Sequence, residues 1–343
     1  MAYQPRDVAR HRLLLKRAVF GDIGNTPPTT QPPCVVTGTL LDASPHILVV
    51  GSGADTGACF GAGPGAGSGT GSGSGSGSGS EERFVLMDNT AAWFSKRTAP
   101  ATLRPGQRVV VRRFGHGQVA DRIWADIGRV TGTILERTGN ELLVDQGHTR
   151  GRGIVALSPS GSDRIRVRFP KLEPGYLIDV IGLRRGGLLE GRLPATSQPP
   201  YHSSQVPRAA LVRGHLPETI SGSASWHEPG EEPDGLPGTA YPALDPPSGC
   251  GGDNAPCDTS VSCSRLPYLS IGSLLLIRND CSGRSRAVQV IECGSTASRF
   301  CDRCLDCGIS PRGRVADLTI TSFVELGGEL HKGCFNATIS IGG

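Results

Sequence analysis

Two groups of residues in this chain are of types that do chemistry. One is a single carboxylate at the end of an apolar run. In "LPYLSIGSLLLIRNDCSGRSRAVQVIECG", residues 266 to 294, Glu292 follows the run Ala287–Ile291 and precedes Cys293 and Gly294. A carboxyl so placed either serves as an acid in a groove or ends a strand as solvated charge. The other group is a set of thiols: Cys301, Cys304 and Cys307 form C-x-x-C-x-x-C. Thiolates at this spacing can hold zinc or an iron–sulfur cluster. Disulfides are the stronger reading. No histidine stands at finger-like spacing, and Cys250, Cys257, Cys263, Cys281, Cys293 and Cys334 offer partners. No metal and no cofactor is expected.

Of the 11 cysteines, Cys34 and Cys59 stand apart and the rest fall between 250 and 334. That density points to a disulfide framework built in an oxidising place, the cell envelope or the extracellular space. The count in the C-terminal part is odd, so one thiol is left over, bonds Cys34 or Cys59, or pairs between chains. The start of the chain does not supply a route out. Arg10-His11-Arg12-Leu13-Leu14-Leu15-Lys16 faintly resembles a twin-arginine export motif, but His11 splits the arginines and no apolar region follows. Residues 1–33 read as a charged N-terminal arm.

The elements that must position these residues are strands. Of 343 residues, 37% are hydrophobic and 5% aromatic, with 49 glycines and 26 prolines. This composition implies modest cores, many turns and few long helices. The net charge of +4 is small, and no Lys/Arg run with interleaved aromatics occurs, so nucleic acid is not an expected partner. No run approaches the roughly 18 apolar residues that a membrane span needs.

An internal repeat sets the plan. "VTGTLLDASPHILVV" begins at Val36 and "VTGTILERTGNELLV" at Val130. Later in each unit, "LRPGQRVVVRRFGHGQVADRIWAD" from Leu103 matches "LEPGYLIDVIGLRRGGLLEGRLPA" from Leu172. The Pro-Gly pairs predict type II turns, with proline fixing φ and glycine accepting φ > 0. Short strands between regular turns, with no helical period, predict two small OB-like barrels over 34–129 and 130–200. The pattern resembles the small β-barrel repeats of bacterial exported proteins. The run 61–80 is almost wholly Gly and Ser, reads as a flexible insertion, and lacks the lysine of a phosphate-binding loop. Residues 201–221 read as a linker.

The remainder, 222–343, carries an ordered set of motifs. They are "SASWHEPG" at 223–230, the stretch 266–294, "GRVADLTITSFVELGG" at 313–328 and "GCFNATISI" at 333–341. This order resembles the rare-lipoprotein-A-type double-psi β-barrel, a relative of expansin and barwin domains. The resemblance implies an all-β, disulfide-rich barrel of six strands with one short helix, here Thr319–Leu326, stopped by Gly327-Gly328.

The family acts on polysaccharide, so the resemblance implies a cell-wall glycan as partner. Its rare lipoprotein A members are peptidoglycan lytic transglycosylases. In these, one acid protonates the glycosidic oxygen and its carboxylate then helps the sugar's own hydroxyl close a ring. The family's two aspartates fall on Glu292 of "VQVIECG" and Asp317 of "GRVADLT". A later alignment on "CDRC" would use Asp302 in place of Glu292. The family's tryptophan falls on Trp226, a sugar-stacking candidate and otherwise a core residue. Each acid has a structural reading too: Asp317 as an N-cap, Glu292 as strand-end charge, Asp302 as a turn residue. His227 and His331 read as surface residues. An expansin-type histidine is missing, since Val315 stands in its place.

Two functions follow as expectations. The first is a polysaccharide-binding protein of the cell envelope, acting as a lytic transglycosylase if Asp317 and Glu292 line an open groove. The second is a non-catalytic structural subunit of an extracellular filament, phage tail or similar assembly, associating with itself or within a larger surface assembly. Nucleic-acid binding by the OB-like units would rest on fold analogy alone.

Overall fold

The computed structural model describes residues 33–52, 80–114, 117–147, 149–197, 200, 202–205, 219–228, 237–244, 266–294, 300–304 and 313–341. The N-terminal arm, the Gly/Ser insertion and most of the linker lie outside the described residues, as do Cys59, Cys250, Cys257, Cys263 and Cys307. The chain is all-β and forms three small closed barrels.

The first barrel is built from β1 (Cys34–Ala43), β2 (Ile47–Ser52), β3 (Ser80–Phe94), β5 (Arg108–Arg113) and β6 (Val119–Ala125). A short β4 (Lys96–Thr98) lies on β3. The sheet runs β2-β1-β5-β6-β3, and a β2–β3 pairing closes it. The second barrel uses β7 (Ile127–Thr138), β8 (Glu141–Asp145), β9 (Arg152–Leu157), β10 (Leu177–Arg185) and β11 (Leu188–Pro194), closed in the order β10-β11-β9-β8-β7. The two circuits are the same, and each contains one parallel pairing, β3–β6 or β9–β11. The V-T-G-T segments open β1 and β7 at equivalent places. At both, glycine is needed for space: a Cβ on Gly38 would run into the carbonyl of Gly51, and one on Gly132 into that of Asp145. The Pro-Gly turns form as the sequence predicts, with φ of +87° at Gly106 and +88° at Gly175.

The second barrel differs from the sequence reading in one element. A helix, α1 (Pro159–Arg168), lies between β9 and β10 where only strands are expected. Ser158 caps it, accepting from Gly161 N, and Pro159 sits at its first turn, where a missing N–H costs nothing. The helix covers the barrel through Gly161 and Ile165 and leaves its arginines in solvent.

The third barrel comprises β12 (Thr219–His227), β13 (Thr239–Tyr241), β16 (Leu274–Asn279), β17 (Ser285–Cys293), β18 (Arg314–Thr319) and β19 (Cys334–Ile341). Their order is β12-β18-β13-β17-β16-β19, and β14 (Ala243–Leu244) pairs with β15 (Leu269–Ser270) outside the ring. The pairs β12–β18 and β13–β17 are parallel and the other four are antiparallel. On β16, Leu275 and Ile277 point inward while Leu274 and Leu276 face out, the period-two pattern of a one-sided strand. The one helix here, α2 (Ile320–Glu325), follows β18 directly and is capped by Thr319, whose side chain accepts from Ser322 N.

The barrels are joined, not strung. Besides the separate cores of the first and second barrels, one large cluster holds the core of the third, with Val290, Phe323 and Phe335, and extends to Trp93, Val110 and Trp124 of the first and Ile181 and Leu183 of the second. Full burial of each such side chain is worth roughly 1.5–3 kcal/mol. The loop from Glu329 to Gly333 is the point where all three meet. Glu329 accepts from Arg112 at 3.0 Å and Arg122 at 3.2 Å. His331 accepts from Trp124 at 3.1 Å and stacks on Trp93. The carbonyl of Gly333 accepts from Arg129 at 2.7 Å. His331 is therefore a joint residue and not a simple surface one.

Beneath that loop lies a buried ionic chain. Arg129 forks onto Asp179 at 2.7 and 2.5 Å, Thr131 donates to the same carboxylate at 2.8 Å, and Arg314 of the third barrel reaches it at 2.5 Å. Arg314 also holds Asp302 at 2.6 Å, and Asp302 accepts from Ser223 at 2.9 Å. Burial alone would raise the carboxyl of Asp179, but the two arginines override it and hold it ionised. The repeat shows what this chain replaces. Thr37 pairs with Val110 across β1–β5 as Thr131 pairs with Asp179 across β7–β10, so the first barrel carries an apolar Val110 where the second carries the ionised Asp179.

Cys34, Cys281, Cys293 and Cys301 are disulfide-bonded. Cys304 and Cys334, both disulfide candidates by sequence, are instead buried thiols in contact with each other. Among the described residues no group of three His, Cys, Asp or Glu is arranged to hold a metal. Among them, too, no helix is long and apolar enough to cross a membrane.

Candidate functional site

Strand register brings the candidate acids together. Ser225 on β12 pairs with Asp317 on β18, Asp317 pairs with Ala240 on β13, and Ala240 pairs with Glu292 on β17. Paired residues in adjacent strands present their side chains to the same face. The row Ser225–Asp317–Ala240–Glu292 therefore lies across the outside of the third barrel, with small Ala240 leaving space between the two acids. His227, two residues beyond Ser225, is on the same face.

That face is covered by the second barrel. The turn between β8 and β9 is held by its own backbone: Gly151 N donates to Gly147 O at 2.9 Å, and Gly147 N to the Asp145 carboxylate at 3.0 Å. Both glycines adopt positive φ, at +96° and +62°. The turn presents Thr149 and Arg150. Thr149 donates its hydroxyl to Glu292 Oε1. Arg150 Nη1 donates to Asp317 Oδ2 at 3.0 Å, and its Nε stands 3.4 Å from Glu292 Oε1. Ser225 donates to the other Asp317 oxygen at 2.6 Å.

The side chains of Asp317, Arg150 and Glu292 are 1%, 8% and 12% exposed. Burial pushes the carboxyl of Asp317 up, but Arg150 first, then His227, Arg314 and Arg129, pull it well below the usual carboxylate range. It stays ionised at any ordinary pH. A general acid needs the opposite, a proton held near neutrality, so this arrangement gives Asp317 no proton to donate. What the cluster does in this geometry is bind a cation, and the cation is the guanidinium of Arg150.

His227 is buried, contrary to its reading as a surface residue. Its Nδ1–H donates to the carbonyl of Glu228 at 2.9 Å, which leaves Nε2 as the bare nitrogen. That Nε2 and the Nε and Nη2 of Arg150 are buried without hydrogen-bond partners. Burial and the neighbouring Arg150 push the imidazole toward its neutral form, against the weaker pull of Asp317 and Glu292.

The other candidates lie elsewhere. Trp226 is fully buried, donates to Leu330 O at 2.9 Å and lies 5.5 Å beneath the Arg129 guanidinium, so no ring face is open to a sugar. Asp302 is buried in the ionic chain with Arg314, away from the acid row, and is not a turn residue at the surface. Asp317 is not the N-cap of α2, since Thr319 fills that place. The strand register brings Asp317 and Glu292 to one face, and sequence reasoning misses Arg150, Thr149 and Ser225 beside them. Only Ser225, adjacent to Trp226 in the quoted motif, had a local signal. Comparison of the chain with family models, curated proteins and solved structures finds no match.

Proposed function

We propose that this protein is a non-catalytic structural subunit of an extracellular filament, phage tail or similar assembly. In this reading two OB-like barrels are locked onto a double-psi barrel of rare-lipoprotein-A type. The observation that carries it is Arg150. Its guanidinium occupies the place between Asp317 and Glu292 where a glycan would have to enter, and it keeps Asp317 ionised. A buried ionic chain and a shared apolar core then make the three barrels one stiff unit, as a building block requires.

Other features support the finer fold assignments. The circuit common to the first two barrels, with a helix between the third and fourth strands of the second, is what an OB-like barrel predicts. The two parallel pairings interleaved among antiparallel ones suit a double-psi barrel. Disulfide-bonded cysteines suit an oxidising, extracellular or cell-envelope location.

One observation favours the enzymatic alternative: the row Ser225–Asp317–Ala240–Glu292 keeps two acids on one face of the barrel. A peptidoglycan digestion separates the two. The structural reading expects no anhydro-muropeptides from the purified full chain, together with concentration-dependent self-association in light scattering. Release of anhydro-muropeptides by the wild type, lost in Asp317→Asn, would establish the lytic transglycosylase instead. A strict monomer at all concentrations would count against the assembly subunit.

A further inference from the structure

We infer that Cys304 and Cys334 are a disulfide-forming pair, a modification site that fastens the loop carrying Asp302 to the first residue of β19 beside the joint between the second and third barrels. The two thiols are already in hydrogen-bond contact. Each is held from its own side. Cys334 opens β19, where it pairs with Ser225 of β12. Cys304 follows Arg303, whose backbone bridges Ser197 at 3.2 and 3.4 Å, and Asp302, which is clamped by Arg314 at 2.6 Å. Gly333, the residue just before β19, packs so tightly on Ala195 that no Cβ would fit there. Each cysteine therefore follows a residue that contacts the 195–197 segment leaving the second barrel, Gly333 on Ala195 and Arg303 on Ser197. Disulfides need two β-carbons brought close, and here the two thiols already meet.

The chemistry requires an oxidant, and a small-molecule disulfide such as oxidised glutathione supplies it. The Cys334 thiolate attacks one glutathione sulfur, the S–S bond breaks, and one reduced glutathione leaves. The Cys304 thiolate then attacks the Cys334 side of the mixed disulfide and expels the second. The protein loses two electrons and two protons, and two glutathione thiols gain them. Burial sets the timing. Cys304 is 0% and Cys334 6% exposed, and the hydrogen bond with Cys304, then burial, keeps Cys334 protonated. Attack on the folded protein is consequently slow, and the bond closes during folding, while the loop is still open.

The test is to fold the full chain with oxidised glutathione present or absent, unfold it without reductant in iodoacetamide, and map the peptides by mass spectrometry. With the oxidant, a peptide linking Cys304 to Cys334 should appear and both residues should escape alkylation. Without it both should be alkylated. Folded with the same oxidant, so that the bonds of Cys34, Cys281, Cys293 and Cys301 are common to both, Cys304→Ser together with Cys334→Ser should unfold roughly 5 °C below the linked wild type. Alkylation of either cysteine after oxidative folding, or its appearance in a link to any other cysteine, overturns the pairing. So does stoichiometric zinc in the unlinked protein that both serines abolish. The peptide map on the wild type decides the matter even if a variant does not fold.

Discussion

Arg150 and Asp317 meet across the seam between two barrels at 3.0 Å, one from a glycine-bounded turn and the other from the middle of a strand. Removing the arginine would leave a buried carboxylate unpaired, the costly half of such a pair. Arg150→Met should destabilise the protein by roughly 3–5 kcal/mol in urea unfolding. Asp317→Asn in the same chain should recover part of that loss, because it removes the stranded charge. A lysine at 150 should recover less than native stability, since one ammonium cannot serve Asp317 and Glu292 in the manner of a planar guanidinium.

The ionic chain between the second and third barrels can be tested with the repeat as guide. Asp179→Val alone strands Arg129 and should cost roughly 3–5 kcal/mol. Arg129→Val alone should fall in the same range. The double substitution brings the site toward the first barrel, where Val110 stands in the place of Asp179, and Arg314 keeps Asp302. It should be less destabilising than the sum of the two singles, and a double-mutant cycle measures the difference.

Acid should weaken the fold in two stages. His227 is held toward its neutral form, below its ordinary value of 6.5. The unfolded chain thus takes up a proton there before the folded one does. Its contribution is complete above about pH 6.5 and is lost as pH falls toward the depressed folded value. Asp317 and Asp179 are held ionised below their ordinary value of 3.8. Their contribution is present above that value and is lost on further acidification. Urea midpoints measured from about pH 8 to about pH 3 should therefore fall in both windows. His227→Gln should flatten the upper one and leave the lower.

The two V-T-G-T glycines should behave alike. Gly38→Ala and Gly132→Ala each drive a methyl group into a carbonyl of the neighbouring strand and should cost roughly 1–3 kcal/mol. Gly187 has nothing within 4 Å of its would-be Cβ. Gly187→Ala should stay within about 0.5 kcal/mol of the wild type by thermal unfolding.

The sequence makes the repeat, the Pro-Gly turns, the third barrel's hairpin and the closeness of Asp317 and Glu292 legible, because each depends on local pattern or on the order of strands. The helix α1 is hidden because "DRIRVRF" at 163–169 alternates charged and apolar residues with a period of two, like a strand, while its helical signal lies in Ser158-Pro159 alone. Arg150 is hidden for a different reason. Nothing near it in sequence marks it as the occupant of an acid site in another barrel, and its role depends on how two closed barrels dock. His227 shows the same limit. It reads as a surface residue, but it is buried with Arg150 of the neighbouring barrel close enough to bear on its charge.

The loop from Glu329 to Gly333 grips Arg112 and Arg122 on one side and Arg129 on the other. A tensile load applied between the first and third barrels would therefore pass through these five residues rather than along the peptide that strings the units together. Pulled in a single-molecule instrument, the molecule should resist as one spring and then yield abruptly at that hinge-like wedge, before any barrel unravels.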